Sequence, residues 1–470
     1  MTNEELLDQS FRDSIGTVKK DGKRNWIYPK KPKGWYYNAR TLLSIFLLAF
    51  MFGMPFIKVH GEPLLLFNIF ERKFIIFGMF FGPYDFHIFL LAFVALVVFV
   101  ILFTAIYGRI FCGWLCPQTI FMEMVFRKIE YWIEGDFRDQ RKLASSPWNK
   151  EKILKKGAKW AIFLGISYLI AHTVMAYLVG IDEVKEIVSS SPAERPAGFL
   201  AMNAFTGIFF FIFAWFREQA CIMVCPYGRL QGVLLDENSL AVTYDFVRGE
   251  PRGRLSRQIE VDEPPKGDCV DCHLCVDVCP TGIDIRNGIQ MECVNCTACM
   301  DACDEVMVKI DKPKGLIRLD SLTGVRTGKR FSFTARVWIY SVVLFILVSI
   351  VTVLMINRTD LDVSILRTPG MLYQDQPNNK ISNLYNFHII NKTFYDQKIE
   401  LKVKGLPAEI KILGGNSTVK PLEVYEGRFM LLVNKNDLKE LNTKIQIAAY
   451  QNGEEIKTVN TSFLGKYEEK

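Results

Sequence analysis

Cysteine is absent after Cys303 in this 470-residue chain, although twelve cysteines occur up to that point. A disulfide framework would scatter cysteines through an exported region. Their confinement to residues 112–303 therefore argues for metal ligation in a reducing compartment. The stretch 1–40 also lacks an apolar run behind a short basic start, so we expect no cleavable signal peptide.

Long apolar runs, in contrast, are abundant. Half of the residues are hydrophobic and the mean hydropathy is +0.14, which predicts membrane spans and the lipid bilayer as a partner. Five stretches are long enough to cross a bilayer, namely residues 41–57, 87–111, 160–178, 199–216 and 338–356. A sixth, phenylalanine-rich run at 64–81 is interrupted by Glu71, Arg72 and Lys73, and we interpret it as interfacial or re-entrant.

The basic residues predict the orientation of these spans. Lysine and arginine number 9 in residues 1–40, 11 in 107–159 and 16 in 217–336, but only 3 in 58–86 and 2 in 180–198. By the positive-inside rule, the N-terminus and the cysteine-rich region lie in the cytoplasm, and the C-terminal segment 357–470 lies outside. The same rule accounts for the net charge of +7, so we expect no nucleic-acid partner.

The C-terminal region has the pattern of a small β domain. Residues 399–404 and 444–447 alternate between apolar and polar side chains, and glycine- and asparagine-containing turns are predicted at 414–416 and 451–454. About seven strands in roughly 100 residues are typical of an immunoglobulin-like sandwich, although another small β fold fits almost as well.

A hexapeptide with two cysteines occurs twice. C-G-W-L-C-P begins at Cys112 and C-I-M-V-C-P begins at Cys221, each after a predicted span, and the spacing from Cys112 to Cys221 equals that from Cys116 to Cys225. Duplicates inserted with the same orientation are related by an axis along the membrane normal, so these four cysteines should meet at one membrane face. If helix continues through each motif, the two thiols lie on one helix face.

The other eight cysteines form two runs typical of bacterial ferredoxins. Residues 269–280 read C-V-D-C-H-L-C-V-D-V-C-P and residues 293–303 read C-V-N-C-T-A-C-M-D-A-C. Three thiolates of each run would ligate one [4Fe–4S] cluster, and the fourth would ligate the other cluster. We assign one cluster to Cys269, Cys272, Cys275 and Cys303, and the second to Cys293, Cys296, Cys299 and Cys279. Zinc sites use two separated cysteine pairs instead. Asp304 replaces the usual proline, and His273 is filler or supports the ligands.

Three interpretations compete for the paired hexapeptides. The thiols could pack at a helix end, form a dithiol–disulfide switch, or hold a soft metal ion. Duplication disfavours the first, and C-x3-C is an uncommon redox spacing. A thiolate site selects Cu(I) above harder ions, with Met122, Met124 and Met223 nearby as thioether candidates. Arg109 and Arg217 precede the motifs, where they would lower thiol pKa values or snorkel to the membrane surface.

These features predict a multi-domain membrane protein. An α-helical transmembrane bundle of about five spans with an internal repeat would carry a cytoplasmic dicluster ferredoxin-like α+β insertion and a C-terminal all-β immunoglobulin-like domain. The predicted regions are a tail at 1–40, a repeat domain at 41–236, a ferredoxin-like domain at 237–336, a fifth span at 337–357 and a periplasmic domain at 358–470.

This architecture resembles the cytochrome c oxidase accessory protein family CcoG, also called FixG or RdxA. The matching motifs are C-G-W-L-C-P-Q-T at 112–119, C-I-M-V-C-P-Y-G-R-L-Q at 221–231 and the two cluster runs. The resemblance implies an inner-membrane protein that reduces Cu(II) to Cu(I) at the four hexapeptide thiols. It also implies partners in copper delivery and in the assembly of cbb3-type oxidases.

Two alternatives stay open at this point. The same superfamily contains quinol-linked membrane ferredoxins that serve periplasmic nitrate and nitrous oxide reductases, and a copper-holding assembly scaffold would need no catalysis. The electron donor is not indicated, and a homodimer could share the four thiols between chains.

Overall fold

The structure is a computed structural model that describes residues 16–18, 21–254, 266–328, 334–414, 418–438, 440–451 and 453–465. The described residues form two compact units. The first comprises Met1–Ile57 with Leu90–Ser349, and the second comprises Lys58–Phe89 with Ile350–Lys470.

Most of the first unit is helical. In chain order they are α1 (Trp35–Gly53), α2 (Phe86–Tyr107), α3 (Ile110–Trp114), α4 (Pro117–Thr119), α5 (Arg127–Ile133), α6 (Phe137–Ser145), α7 (Lys150–Val179), α8 (Ile181–Ser189), α9 (Pro196–Phe211), α10 (Pro226–Leu234), α11 (Phe246–Gly249), α12 (Leu274–Asp277), α13 (Ala298–Lys309), α14 (Leu322–Thr327) and α15 (Ala335–Ile356). Segments Ile120–Phe126, Ile212–Phe216 and Ala220–Val224 are π-helical.

Within the described residues, five helical stretches are long and apolar enough to cross a membrane. They are Trp35–Phe56, Pro83–Tyr107, Lys150–Val179, Pro196–Phe216 and Ala335–Ile356. They coincide with the five predicted runs, but the third begins well before the predicted start at 160. Its first turn is polar and is capped by Asn149, whose side chain accepts a hydrogen bond from the Lys152 amide at 2.8 Å.

Aromatic side chains hold the helices of the first unit together. Phe126 is fully buried and lies 4.5 Å from Phe213 and 4.7 Å from Phe163, measured between ring centroids. This contact joins the end of the first π-helical segment to α7 and to the end of the fourth apolar stretch. Aromatic pairs at such distances contribute to stability beyond their buried area.

A small α+β core lies between the fourth and fifth apolar stretches. Strands β6 (Ala241–Tyr244) and β7 (Ile317–Asp320) pair antiparallel, and α12 and α13 pack near them. Val242, Met307 and Ile317 are almost completely buried in this core, together with Cys269 and Cys275. The predicted ferredoxin-like region therefore folds around its own cysteines.

The second unit is built from strands. They are β1 (Lys58–Val59), β2 (Glu62–Pro63), β3 (Leu65–Asn68), β4 (Lys73–Ile76), β5 (Met79–Phe81), β8 (Leu361–Arg367), β9 (Gln374–Gln376), β10 (Lys380–Asn391), β11 (Gln397–Lys404), β12 (Ala408–Leu413), β13 (Thr418–Val419), β14 (Val424–Asn434), β15 (Asn442–Gln451) and β16 (Glu454–Leu464).

The C-terminal strands form two sheets around one apolar core. One sheet has the order β12-β14-β10-β8, with β9 beside β10, and the other has the order β13-β11-β15-β16. Tyr385, Phe429 and Phe463 are fully buried between them, and the Tyr385 hydroxyl donates to the Ser462 carbonyl at 2.8 Å. Strands β11 and β15 contain the predicted alternating segments 399–404 and 444–447. Of the two predicted turns, Gly415, Asn416 and Asn452 lie outside the described residues.

Residues 64–81 differ from the sequence-based interpretation. They form the antiparallel sheet β3-β4-β5 and not a re-entrant membrane segment. Glu71 and Arg72, which interrupt the apolar run, lie in the turn between β3 and β4, where Arg72 has a φ of 56°. The buried face of the sheet packs on Phe394 and Leu422, and residues 58–89 group with the second compact unit. The repeat domain at 41–236 stays a prediction.

Candidate metal centre

The two ferredoxin-type runs fold into matching loops. In the first, Asp271 and His273 have φ values of 49° and 57°, and Cys275 lies in α12. In the second, Asn295 and Thr297 occupy the same positions with φ values of 52° and 62°, and Cys299 lies in α13. A left-handed residue on each side of the middle cysteine coils the loop, so that its three thiols lie close together.

The thiols of the first predicted set are neighbours. Burial raises the pKa of Cys303 to about 12, and interaction with the thiols of Cys269 and Cys272 contributes to this increase. Burial likewise raises the pKa of Cys275 to about 12, with Cys303 and Cys272 among the neighbours. Cys303 belongs to the second run but lies among the thiols of the first, as crossed ligation requires.

The second predicted set shows the reciprocal arrangement. Burial raises the pKa of Cys293 to about 12, and the thiols of Cys279 and Cys296 contribute to the increase. Cys279, Cys293, Cys296 and Cys299 line one apolar cavity, which also contains Cys275 from the first set. The two sets therefore adjoin, and soft thiolate donors in an enclosed apolar site fit an iron–sulfur cluster. Their assignment to individual clusters stays a prediction.

His273 lies at the surface of the first loop. Its Nδ1 atom is 2.9 Å from the guanidinium of Arg286, and its Nε2 atom is 3.3 Å from the carboxylate of Asp271. The imidazole is thus held by charged neighbours on the outside of the loop, in keeping with a supporting role.

The two hexapeptides also adopt matching geometry, and in neither does a continuous α-helix run through both cysteines. Helix α3 ends at Trp114, and Cys116 is extended with φ −64° and ψ 124°. Cys225 is extended in the same way, with φ −63° and ψ 113°. Each of these cysteines precedes a proline, which disfavours the α conformation, and the proline then begins the next helix.

The same backbone hydrogen bond closes both motifs. The amide of Cys116 donates to the Phe111 carbonyl, and the amide of Cys225 donates to the Ala220 carbonyl, both at 2.9 Å. Each of these bonds joins an amide to the carbonyl five residues earlier in the chain, whereas an α-helical bond joins it to the carbonyl four residues earlier. The repeat inferred from the sequence is therefore visible in the local structure of the motifs.

Each motif contacts the other. The thiol of Cys112 donates to the Gln231 side chain on α10 at 3.3 Å. Burial raises the pKa of Cys221 to about 12, while Thr119 on α4 lowers it. The thiols of Cys116, Cys112 and Cys225 are also among the groups that interact with Cys221. The four hexapeptide thiols are therefore neighbours across the repeat.

The nearby methionines divide into two groups. Met122 is buried and lines the same small cavity as Cys221. Met124 is buried elsewhere, with its sulfur 3.9 Å from the Thr41 hydroxyl, and Met223 is 43% exposed.

Across the described part of the chain, no three cysteine, histidine or carboxylate side chains are gathered around one point as ligands of a single ion would be.

The first hexapeptide packs directly on the second predicted cluster set. Cys112 and Cys299 both contact a buried group that includes Cys296 and Val294. Gly113 makes this approach feasible, because a Cβ atom there would lie 2.5 Å from the Val294 carbonyl oxygen and 2.7 Å from that of Asn295. The glycine of C-G-W-L-C-P is therefore a contact position for the cluster loop.

Arg109 and Arg217 are both buried, so neither snorkels to a membrane surface. The Arg109 guanidinium donates to the Met291 carbonyl and, at 2.6 Å, to the Gly228 carbonyl. It thus connects the first motif to the cluster loop and to the helix that follows the second motif. Burial raises the pKa of Cys112 to about 11, and the charge of Arg109 opposes this increase.

Arg217 anchors the second motif to a buried carboxylate. Its two terminal nitrogens each donate to Glu130 at 2.8 Å, and its own backbone has a φ of 53°. Glu130 is 2% exposed, yet its pKa is lowered to about 2: burial opposes ionisation, but Arg217, Lys159 and Arg127 stabilise the charge. A bidentate pair with additional cations compensates the desolvation of both partners.

Sequence reasoning missed several residues of this site. Glu130 belongs to no motif, and Gln231 ends the motif at 221–231 but was given no role; helix packing brings Glu130 to Arg217 and Gln231 to Cys112. Gly113 was visible between the two cysteines of the first hexapeptide, and its small size could have indicated a close backbone contact.

Three family models match the chain. One is described as a 4Fe-4S dicluster domain and matches residues 216–322. The second is the immunoglobulin-like fold at the C-terminus of FixG, which matches residues 351–466. The third is described as a 4Fe-4S binding domain and matches residues 88–138.

Curated relatives match over most of their length. Protein RdxB of Cereibacter sphaeroides is 32% identical over 84% of this chain and 88% of its own. The chain belongs to the RdxA/FixG family of membrane polyferredoxins. RdxA of the same organism is 32% identical over 81% of this chain and 83% of its own. Nitrogen fixation protein FixG of Rhizobium meliloti is 29% identical over 87% and 88%, respectively.

Membership of the RdxA/FixG family confirms the resemblance drawn from the motifs and identifies the chain as a 4Fe-4S electron-transfer protein with apolar helices. A crystal structure of a FixG-related protein from Vibrio parahaemolyticus is 26% identical and covers 23% of this chain and all of its own, with a TM-score of 0.19 that supports no argument about fold. The segment 88–138, which matches the 4Fe-4S binding domain, contains only two cysteines, Cys112 and Cys116.

Proposed function

We propose that this membrane-bound iron–sulfur protein reduces Cu(II) to Cu(I) at Cys112, Cys116, Cys221 and Cys225. The observation that carries the proposal is the contact of Cys112 with the buried group that contains Cys296. Two [4Fe–4S] clusters, held by the two predicted sets of four thiols, would supply one-electron transfer when bound. The proposed copper site and the second predicted cluster site then contact the same buried residues.

The residues of the chain favour the reduced ion. Thiolates are soft ligands and bind Cu(I) more favourably than Cu(II), so the site itself contributes driving force to the one-electron reduction. All four thiols are partly buried, which leaves the ion a path from solvent. Gln231 and Arg109 hold the first motif, and the Arg217–Glu130 pair holds the second.

Cu(II) reduction under a chemical reductant, followed with a Cu(I)-specific chromophore, tests this function. We expect the variant in which all four hexapeptide cysteines are serine to lose at least about ten-fold in rate while its iron content stays unchanged. Val224→Ala, at a position within the second motif that is 65% exposed, is the matched control and should keep the rate. An undiminished rate in the serine variant would refute the function, and reduction of one ion per chain without turnover would favour a scaffold.

We also propose that residues 1–40 and the ferredoxin-like region are cytoplasmic and that the β domain is periplasmic. The uneven distribution of lysine and arginine supports this orientation. Alkaline phosphatase, which folds only outside the cytoplasm, should be active when fused to the C-terminus and inactive when fused after residue 328. Oxidase-assembly and copper-delivery partners are proposed from the family alone.

A second candidate function follows from the match at residues 88–138. That description names iron–sulfur binding for a segment with only two cysteines, so Cys221 and Cys225 would have to complete the ligand set. In this case the four thiols hold a further [4Fe–4S] cluster and the protein is an electron conduit. The iron content per chain separates the two candidates.

A further inference from the structure

A large cavity lies beside the first turns of α7, away from the cysteines. Its volume is about 680 Å³, within the usual range of about 300–1,000 Å³ for ligand pockets. Trp148, Trp160 and Trp215 line it together with Lys152 and Lys156. The function proposed above uses none of these side chains.

The basic side chains around the cavity outnumber the acidic ones. Lys152, Lys156, Lys159 and Arg217 line it, and no carboxylate is among its lining residues. The carboxylate of Glu134, which does not line the cavity, forms ion pairs with Lys156 at 2.9 Å and with Lys159 at 2.8 Å. Two further carboxylates are paired nearby, Glu130 with Arg217 and Glu218 with Arg24. The basic groups are therefore five (Lys152, Lys156, Lys159, Arg217 and Arg24) and the carboxylates three (Glu134, Glu130 and Glu218), which leaves two excess positive charges.

Lys152 contributes most clearly to this excess. Its ammonium donates to the carbonyls of Ala144 at 3.0 Å and Ser146 at 2.5 Å, and carbonyls carry no compensating charge. Among the described residues, no carboxylate lies within ion-pair distance of it. The Lys152 ammonium also lies 5.2 Å from the ring of Trp148, which is 69% exposed.

The cavity also lies where α7 changes from charged to apolar. Lys152, Lys156 and Lys159 recur at helical spacing, and Trp160 begins the apolar part. Phe210 and Ala214, on the fourth apolar stretch, also line the cavity. Tryptophan beside lysine at the end of an apolar helix is typical of the membrane–water interface. The cavity therefore offers cations to a headgroup and an apolar wall to acyl chains.

We propose that this cavity binds one phospholipid with an anionic phosphate headgroup, the phosphate on Lys152 and Lys156 and the chains along Trp160, Phe210 and Ala214. Basic pockets between membrane helices are suited to such headgroups. The lipid proposal does not rest on the proposed copper chemistry, although Arg217 both lines the cavity and holds the second hexapeptide. Free phosphate shares the headgroup chemistry but would leave the apolar wall unused.

Native mass spectrometry of the full chain in detergent tests the proposal. The probes are phosphatidylglycerol, phosphatidylcholine with the same acyl chains, and inorganic phosphate. We expect one phosphatidylglycerol to bind at least about ten-fold more tightly than phosphatidylcholine. K152Q/K156Q should bind it about 30-fold more weakly, from roughly five-fold for each cation. K150Q/K155Q, which removes the same charge from α7 outside the cavity, is the control and should bind as the wild type does.

A charge-preserving variant keeps the test decisive if loss of the Lys152 hydrogen bonds impairs folding. K152R/K156R should retain the preference for phosphatidylglycerol, since the charge is kept. Equal affinity for the two lipids, equal weakening in K150Q/K155Q, or a folded K152R/K156R without the preference would each overturn the proposal. Displacement of the lipid by millimolar inorganic phosphate would assign the site to free phosphate and overturn the lipid assignment.

Discussion

The ferredoxin-type loops and the paired hexapeptides bring cysteines together in different ways. The loops hold eight cysteines within residues 269–303, and their geometry is set by left-handed residues next to the ligands. The hexapeptides, at 112–117 and 221–226, are distant in the sequence and meet only through helix packing: Gln231 accepts a hydrogen bond from Cys112, and Thr119 lines one small cavity with Cys221. One site is therefore encoded locally, and the other depends on the tertiary structure.

The largest effect should come from a change in the loops. Cys299 is partly buried at the start of α13 and interacts with the thiols of Cys296, Cys293 and Cys279. We expect Cys299→Ser to lose about four iron atoms per chain, because one ligand of a four-thiolate cluster is gone. Iron analysis and visible absorption of anaerobic protein measure this loss.

The matched change in the hexapeptides is Cys112→Ser, which should leave the iron content unchanged. If Cys112→Ser and Cys299→Ser lose the same amount of iron, the hexapeptide thiols hold an iron–sulfur cluster themselves and the contrast between the two regions fails.

The next effect concerns the support of the second hexapeptide. Glu130→Gln removes the charge that Arg217 and Lys159 share in a buried site, so we expect a loss of about 3–5 kcal/mol in the free energy of unfolding. Denaturant unfolding in detergent measures it. Glu151→Gln, at an exposed ion pair with Lys155 on α7, should show no measurable change. Equal losses of unfolding free energy in Glu130→Gln and Glu151→Gln would show that burial of the Glu130–Arg217 pair does not determine its contribution to stability.

The acid sensitivity of the protein gives a related test. The pKa of Glu130 is lowered from 4.5 to about 2 by Arg217, Lys159 and Arg127 against the opposing effect of burial. A carboxylate with a lowered pKa stabilises the fold above its unfolded pKa, and this contribution is lost as the pH falls from about 4.5 to 2. Melting temperatures of the wild type and Glu130→Gln should therefore converge over this range. A constant difference would contradict the assignment of the lowered pKa.

A smaller effect is expected where the two regions touch. Gly113→Ala places a Cβ atom 2.5 Å from the Val294 carbonyl, and such overpacking costs about 1–3 kcal/mol. Gly165→Ala on α7 is the control, since no atom lies within 4 Å of its added Cβ and alanine favours helix by up to about 1 kcal/mol. Thermal unfolding compares the two variants. Equal stability would mean that the hexapeptide and the loop are not in close contact.

The comparison of the two regions also explains what the sequence could predict. The neighbouring thiols within each loop follow from spacing alone, and the five apolar runs follow from their length. The sequence left open whether helix continues from Cys112 through Cys116; it does not, because the proline at 117 disfavours the α conformation at Cys116. The re-entrant interpretation of residues 64–81 was wrong because a phenylalanine-rich three-stranded sheet and a membrane segment have similar composition, and the interfacial interpretation stays a prediction. Glu130 could not be found, since its partners lie 29 and 87 residues away.

Iron and copper analysis of anaerobic, copper-loaded protein tests the central claim most directly. The wild type and the variant with serine at all four hexapeptide positions should each contain about eight iron atoms per chain, with thiolate-bound Cu(I) only in the wild type. About twelve iron atoms in the wild type and eight in the variant, without bound copper, would contradict the copper site and assign the four thiols to a third cluster.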